Sequence, residues 1–218
     1  MTGHLVVFEA EGVLFDSSAG IRHRLDHALS SCGLPPASDA QAHSLFGPPL
    51  RSGLTSLMND RMLSSPVVIT ELEPFRHDYA STSLRLTRLY PGIRELLRRT
   101  AAQRGHRIAI ATSKTRAATE PLLQLFEVER SFVDVECGIE AESKSDVLGR
   151  VLQSAGARAM PAVMIGDRSH DMAAAQYHGI RGLGAGWGYG SYDELIATGA
   201  DAVADQPWHI HALIGPES

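Results

Sequence analysis

Short unbroken apolar runs alternate with stretches of helical period along most of this chain. Leu5–Phe8 is a four-residue apolar run with two valines. Runs of that length, rich in β-branched residues, read as strands buried on both faces, the kind a parallel sheet contains. Arg107–Ala111 and Ala162–Ile165 have the same character, and Phe132–Val135 and Ile180–Ala185 resemble them. Residues 199–203 suit a short edge strand. Between these runs the period changes. Ile93, Leu96, Leu97 and Ala101 recur at helical spacing, with Pro91 at the start and Gly105 beyond the end. Ala117–Leu125, the segment around Val147, Leu148, Val151 and Leu152, a short piece holding Glu194 and Leu195, and Pro207–Leu213 also read as helices. Strands alternating with helices predict an α/β fold with a Rossmann-like parallel sheet.

Residues 17–88 break this alternation. Ile21, Leu25, Ala28, Leu29 and Cys32 mark one helix, preceded by the capping-type residues Asp16, Ser17 and Ser18 and closed by Gly33-Leu34-Pro35-Pro36. Ser38–Leu45 reads as a second helix, with Ser38 or Asp39 as its cap. A third starts near Arg51, with Leu54 and Leu57. A fourth runs over Val67–Leu86, with Ile69, Leu72, Phe75 and Tyr79 inward and Pro74 kinking or splitting it. No strand is expected between residues 18 and 88. The chain therefore divides into a core, residues 1–16 and 89–218, and a small all-helical domain, residues 17–88.

Composition narrows the partners. A length of 218 residues suits one α/β domain with a small second one. The net charge of −5, without a basic tract, points to no nucleic acid, and no apolar run has the length of a membrane span. The chain enters a strand with no leader pattern, and its two cysteines, Cys32 and Cys137, lie far apart. A reducing, cytoplasmic setting is expected, with Cys32 a core residue. Of the 20 basic residues only two are lysines, Lys114 and Lys144. Lysine and arginine are not interchangeable, so a lysine kept here marks a place that needs a compact ammonium.

The candidate chemistry gathers where apolar runs stop. Glu9 and Glu11 follow Leu5–Phe8 two residues apart, so on an extended segment both side chains point one way. In open α/β sheets ligands bind at the carboxyl ends of the strands. Arg107–Ala111 runs into Thr112-Ser113-Lys114, a hydroxyl and free N–H groups that suit an anion or, alternatively, cap a helix. Lys144 stands in the first turn of a helix, against the dipole, a local misfit that favours a functional role. Ala162–Ile165 ends in Gly166-Asp167-Arg168-Ser169-His170-Asp171. Two carboxylates four apart at a strand tip suit a hard cation such as Mg²⁺, or else Asp167 caps the helix that follows. His170 is given no role. Trp187 and Tyr189 line the crevice or simply pack their loop.

Leu5–Ser17, reading Leu-Val-Val-Phe-Glu-Ala-Glu-Gly-Val-Leu-Phe-Asp-Ser, resembles the first motif of the haloacid dehalogenase (HAD) superfamily, Asp-x-Asp-Gly-Thr/Val-Leu-x-Asp-Ser. Both acidic positions are Glu instead of Asp. Thr112, Lys144 and Gly166-Asp167-x-x-x-Asp171 fall where the second, third and fourth motifs belong. Residues 17–88 resemble the four-helix cap of the phosphoglycolate-phosphatase-like branch, and Phe46-Gly47-Pro48-Pro49-Leu50 resembles its cap loop. Tyr90-Pro91-Gly92-Ile93 resembles the return to the core, and Gly184 to Leu195 a Gly-rich stretch of that branch. The resemblance covers essentially the whole chain.

It implies Mg²⁺-dependent hydrolysis of a small phosphomonoester, with Glu9 as nucleophile and Glu11 as general acid and base. It implies that Thr112, Ser113 and Lys144 bind the phosphate. Glu9, the Glu11 carbonyl and Asp167 would hold the metal, with Asp171 behind them. Substrate choice would lie around His43–Arg51. Glu is longer than Asp by a methylene, about 1.5 Å of reach. A misplacement of about 1 Å costs on the order of a hundredfold in rate. A second expectation follows: a protein diverted from hydrolysis that keeps the phosphate and metal site for ligand binding or another reaction.

Overall fold

The computed structural model describes residues 3–31, 33–46, 82–139, 142–155 and 160–214. The chain divides into one unit of Met1–Asp16 with Leu89–Ser218 and another of Ser17–Arg88.

In the first unit the apolar runs become a six-stranded parallel sheet. Its strands are β1 (Leu5–Phe8), β4 (Arg107–Thr112), β5 (Asp134–Cys137), β6 (Ala162–Gly166), β7 (Arg181–Ala185) and β8 (Ala202–Ala204), in the order β5-β4-β1-β6-β7-β8. Order runs outward from β1 to β5, then resumes at β6 on its other side. The β1–β6 gap is thus the topological switch point, where α/β sheets open a crevice at their carboxyl ends. β1 is buried along its whole length, as its unbroken apolar run requires. In register, Phe8 stands opposite Ile110 of β4 and Ile165 of β6. Glu9 therefore emerges level with Ala111 and Gly166, one residue before Thr112 and Asp167.

The flanking helices are α4 (Ile93–Ala102), α5 (Arg116–Leu125), α6 (Lys144–Ser154), α7 (Ser169–Tyr177), α8 (Tyr192–Ala197) and α9 (Ile210–Ile214), the last entered through a 3-10 turn at Pro207–His209. Val147, Leu148 and Val151 of α6 pack on Val7, Ala109 and Met164, with Leu152 partly buried beside them. Two expectations shift. α4 buries Ile93, Leu96, Leu97 and Thr100, while Ala101 is exposed; the Thr100 hydroxyl donates to the Leu96 carbonyl at 2.8 Å and so fits an apolar face. β5 begins at Asp134, two residues later than expected, because Asp134–Cys137 pair with Ala109–Thr112 and Phe132 closes the 3-10 turn Glu129–Ser131.

In the second unit the described elements are α1 (Ser18–Ser31), α2 (Asp39–His43) and α3 (Thr82–Leu86). Ser38 caps α2. Its hydroxyl accepts the Gln41 N–H at 3.2 Å, and the Gln41 side chain accepts the Ser38 N–H at 3.0 Å. Ile21, Leu25, Leu29, Ala37, Ala42 and Leu45 form this unit's apolar cluster. Cys32, residues 47–50 of the expected loop, the helix from Arg51 and most of the helix from Val67 lie outside the described residues. Two two-residue strands are also described, β2 (Phe15–Asp16) in the first unit and β3 (Arg88–Leu89), of which Arg88 belongs to the second. β3 starts inside the span where no strand was expected. No helix among the described residues is long and apolar enough to cross a membrane.

Candidate active site

Glu9 continues the ladder past β1, its N–H donating to the Ile165 carbonyl at 2.9 Å. It is 5% exposed, so its carboxylate must find donors inside the protein. Oε1 accepts the Ala10 N–H at 2.7 Å, the Glu11 N–H at 3.2 Å and the Thr112 hydroxyl. Oε2 pairs with the Lys144 ammonium, which also lies 2.8 Å from Asp171 Oδ1. α6 presents this lysine because Ser143 caps the helix in a box with Asp146, leaving Lys144 as the first helical residue. The Ser143 hydroxyl and N–H hold the Asp146 carboxyl below its usual range.

Glu11 turns to the other lysine. Its Oε1 lies 2.9 Å from Lys114 Nζ, with both side chains largely buried. In the sequence Lys114 has no role of its own; the scarcity of lysine and its place in Thr112-Ser113-Lys114 are the signals for it. Ser113, between Thr112 and Lys114, packs its main-chain carbonyl close to Gly138, where a Cβ would lie 2.6 Å from that oxygen.

Asp167 stands at the tip of β6 and is 1% exposed. Oδ2 accepts the Tyr189 N–H at 2.8 Å, whereas Oδ1 has no hydrogen-bond partner among the described residues. Three glycines permit this crowding: added Cβ atoms would lie 2.0 Å from Asp167 Oδ2 at Gly12, 2.3 Å from its Cβ at Gly188 and 2.0 Å from its carbonyl at Gly190. Gly12 also takes a φ of +84°, which glycine adopts without strain. Burial, with the charge of Asp171 second, pushes the Asp167 carboxyl up to about 8.

Asp171 caps α7. Its Oδ2 accepts the N–H groups of Asp167 and Arg168, each at 3.1 Å. The capping alternative for Asp167 is thereby corrected, since α7 takes Arg168 as its N-cap and Asp171 supplies the acceptor. Burial alone would raise the Asp171 carboxyl; the Lys144 ammonium and further donors outweigh it and hold the carboxyl low.

The structure thus brings Glu9, Thr112, Lys144 and Asp171 into one cluster, with Glu11 and Asp167 at its sides. It also brings in His170, which the sequence left without a role. Ligand atoms of Glu9, His170 and Asp171 all lie within 4.8 Å of one another. Burial pushes the His170 imidazole down, toward its neutral form. Trp187 and Tyr189 pin the loop after β7: the indole N–H donates to the Val13 carbonyl at 3.0 Å, and Tyr189 supplies the N–H on Asp167. Chemically, the cluster offers carboxylates beside a hydroxyl and an ammonium, the donors and acceptors that phosphoryl chemistry uses.

The family model of haloacid dehalogenase-like hydrolases matches residues 6–185. Tyrosine-protein kinase PtkA of Mycobacterium tuberculosis is 36% identical over 208 residues, covering 91% of this chain and 67% of the relative. A 5'-nucleotidase of Pseudomonas aeruginosa is 31% identical over 196 residues, covering 88% and 86%. A phosphoglycolate phosphatase of Vibrio parahaemolyticus is 26% identical over 213 residues, covering 92% and 91%. Among solved structures, a haloacid dehalogenase-like family hydrolase from Streptococcus pneumoniae superposes with a TM-score of 0.88 at 25% identity, covering 98% of this chain and 99% of that one.

Proposed function

We propose that this chain, which belongs to the haloacid dehalogenase-like hydrolase family, hydrolyses a small phosphomonoester in the cytoplasm, with Glu9 as nucleophile, Glu11 as general acid and base, and Mg²⁺ as cofactor. The observation that carries the reading is the convergence of the Thr112 hydroxyl and the Lys144 ammonium on the Glu9 carboxylate at the tips of β1, β4 and α6. Phosphatase and nucleotidase relatives support the reaction class.

A Glu9 oxygen attacks phosphorus and the bond to the leaving oxygen breaks. Glu11 gives its proton to that oxygen. The glutamyl phosphate then passes its phosphoryl group to water, and the proton of that water goes to the Glu11 carboxylate. Thr112, Ser113 and Lys144 hold the phosphoryl oxygens in place of the contacts that Thr112 and Lys144 make with Glu9 in the free protein.

Mg²⁺ fits the residues present, because a buried carboxylate oxygen of Asp167 has no hydrogen-bond partner among the described residues and the donors are oxygens of the kind hard cations prefer. Glu9, the Glu11 carbonyl and Asp167 would hold it, with Asp171 supporting through Lys144. Such an ion supplies Lewis-acid stabilisation of the phosphoryl oxygens. The helical unit Ser17–Arg88 would serve as the substrate-selecting cap, with its choice made around His43–Arg51.

A second reading draws on one observation. Glu9 itself accepts the bonds of Thr112 and Lys144, so a phosphate must displace a carboxylate that an Asp would hold further back. The site would then serve ligand binding, or a phosphoryl transfer whose acceptor is not water, as the name of the kinase relative invites. Phosphate release from a panel of small phosphomonoesters with Mg²⁺ separates the two. Wild-type turnover lost in Glu9→Gln establishes the hydrolase. A silent wild type beside an active Glu9→Asp/Glu11→Asp variant establishes the diverted site.

A further inference from the structure

We infer that Lys114 is a positioning residue, holding the Glu11 carboxylate where it exchanges protons with the substrate. The inference rests on the hydrolase reading and adds to it a residue outside the nucleophile, metal and phosphate groups named there.

Each of the two lysines in the chain is paired with one of the two glutamates that follow β1. Lys144 meets Glu9 and Lys114 meets Glu11. A glutamate has one more rotatable bond than an aspartate, so its carboxylate sweeps a larger volume unless something tethers it. Glu9 has three N–H or O–H donors and an ammonium. The buried Oε1 of Glu11 has no hydrogen-bond partner among the described residues and lies 2.9 Å from the Lys114 ammonium as an ion pair. That ion pair tethers the Glu11 carboxylate through Oε1.

The lysine is itself held by its main chain. Its N–H donates to the Thr112 hydroxyl at 3.2 Å, and its carbonyl accepts the Gly138 N–H at 3.1 Å. That N–H also reaches the Thr112 carbonyl at 2.7 Å. Gly138 approaches this closely because it lacks a Cβ, which would lie 2.6 Å from the Ser113 carbonyl oxygen. The β5 loop thus clamps the turn after β4 and aims Lys114 at Glu11. The Thr112 hydroxyl, donating to Glu9 and accepting from Lys114, joins the two lysine–glutamate pairs in one network. The Lys114 side chain is 8% exposed, and its ammonium lies 2.9 Å from Glu11 Oε1.

The test is steady-state kinetics of the Mg²⁺-loaded full chain, wild type beside Lys114→Met, Lys114→Arg, Glu11→Gln and the Glu11→Gln/Lys114→Met double variant. Loss of the tether lowers kcat by on the order of a hundredfold and leaves KM within about threefold. Lys114→Arg, with the charge kept and the shape changed, recovers part of the loss. The double variant is as slow as Glu11→Gln alone, because Lys114 acts only through Glu11. A KM raised about tenfold at constant kcat, or losses that multiply in the double variant, would overturn the inference and make Lys114 a substrate ligand. Wild-type turnover matched by Lys114→Met would overturn it while the hydrolase reading stands. A wild type without Glu9-dependent turnover would overturn both.

Discussion

Glu9 and Asp167 sit at the tips of adjacent parallel strands, and both are almost fully buried, yet their surroundings differ. Glu9 has three N–H or O–H donors on one oxygen and an ammonium on the other. Asp167 has one N–H on one oxygen and no partner among the described residues on the other. Burial is the same, so the donors decide how each acid bears its charge. The longer arm at position 9 reaches the cationic side of the crevice. The shorter one, walled in by Gly12, Gly188 and Gly190, cannot follow. Among the described residues an ammonium pairs directly with Glu9, whereas Asp167 feels Lys144 and Arg168 only at longer range, so a divalent cation has most to offer beside Asp167.

The largest effect expected on this contrast comes from Lys144→Met. It leaves Glu9 and Asp171 facing each other without the ammonium that pairs with both. Removing one member of a buried ion pair costs about 3–5 kcal/mol. Denaturant unfolding at pH 7 measures it. A loss under about 1 kcal/mol would mean that the Glu9 side relies on its N–H donors and differs less from Asp167.

Asp167→Asn should act the other way in the metal-free protein. The carboxyl is pushed up to about 8, above its value in an unfolded chain. Its contribution to stability is then fully present below about pH 4 and is lost as pH rises through about 8. Asn does not titrate, so the variant gains on the wild type across that window, by an amount on the order of a few kcal/mol at its upper end. Mg²⁺ should close the gap by raising the melting temperature of the wild type and not of the variant. Equal responses of both proteins to Mg²⁺ would remove Asp167 from the ligand set.

The same contrast shows what the sequence made legible. β1, β4 and β6 stand out because central parallel strands are buried on both faces and cannot alternate. Their tips therefore locate Glu9, Thr112 and Asp167 without further information. β5 is an edge strand, Asp134-Val135-Glu136-Cys137, mostly half-buried. Its apolar signal is weaker than that of Phe132 and Val133 just before it, and Val133 is 53% exposed. Pairing with β4 sets its register, and no local pattern reports that. The Glu11–Lys114 pair and the nearness of His170 to Glu9 depend on the turns after β4 and β6. Strand period says which face a residue takes but not how far a side chain reaches beyond the tip.

The smallest effect expected tests the Glu9 side alone. Lys144 is the first residue of α6, and the Ser143–Asp146 box sets where that helix begins. Ser143→Ala removes the hydroxyl that accepts the Asp146 N–H at 3.2 Å, a loss of about 1 kcal/mol for an N-cap. Fraying of that first turn moves the ammonium away from Glu9 and leaves the Asp167 loop untouched. The cap also titrates. The Asp146 carboxyl is held low by the Ser143 hydroxyl and N–H, so its contribution is present above the ordinary aspartate range, near pH 4, and is lost as pH falls through the depressed native value. Unfolding measured at pH 7 and at lower pH should show the wild type ahead of Ser143→Ala at pH 7, with the gap narrowing as pH falls. A gap that stays constant with pH would place the stabilisation in the Ser143 hydroxyl alone. The placement of Lys144 would then be independent of the Asp146 charge.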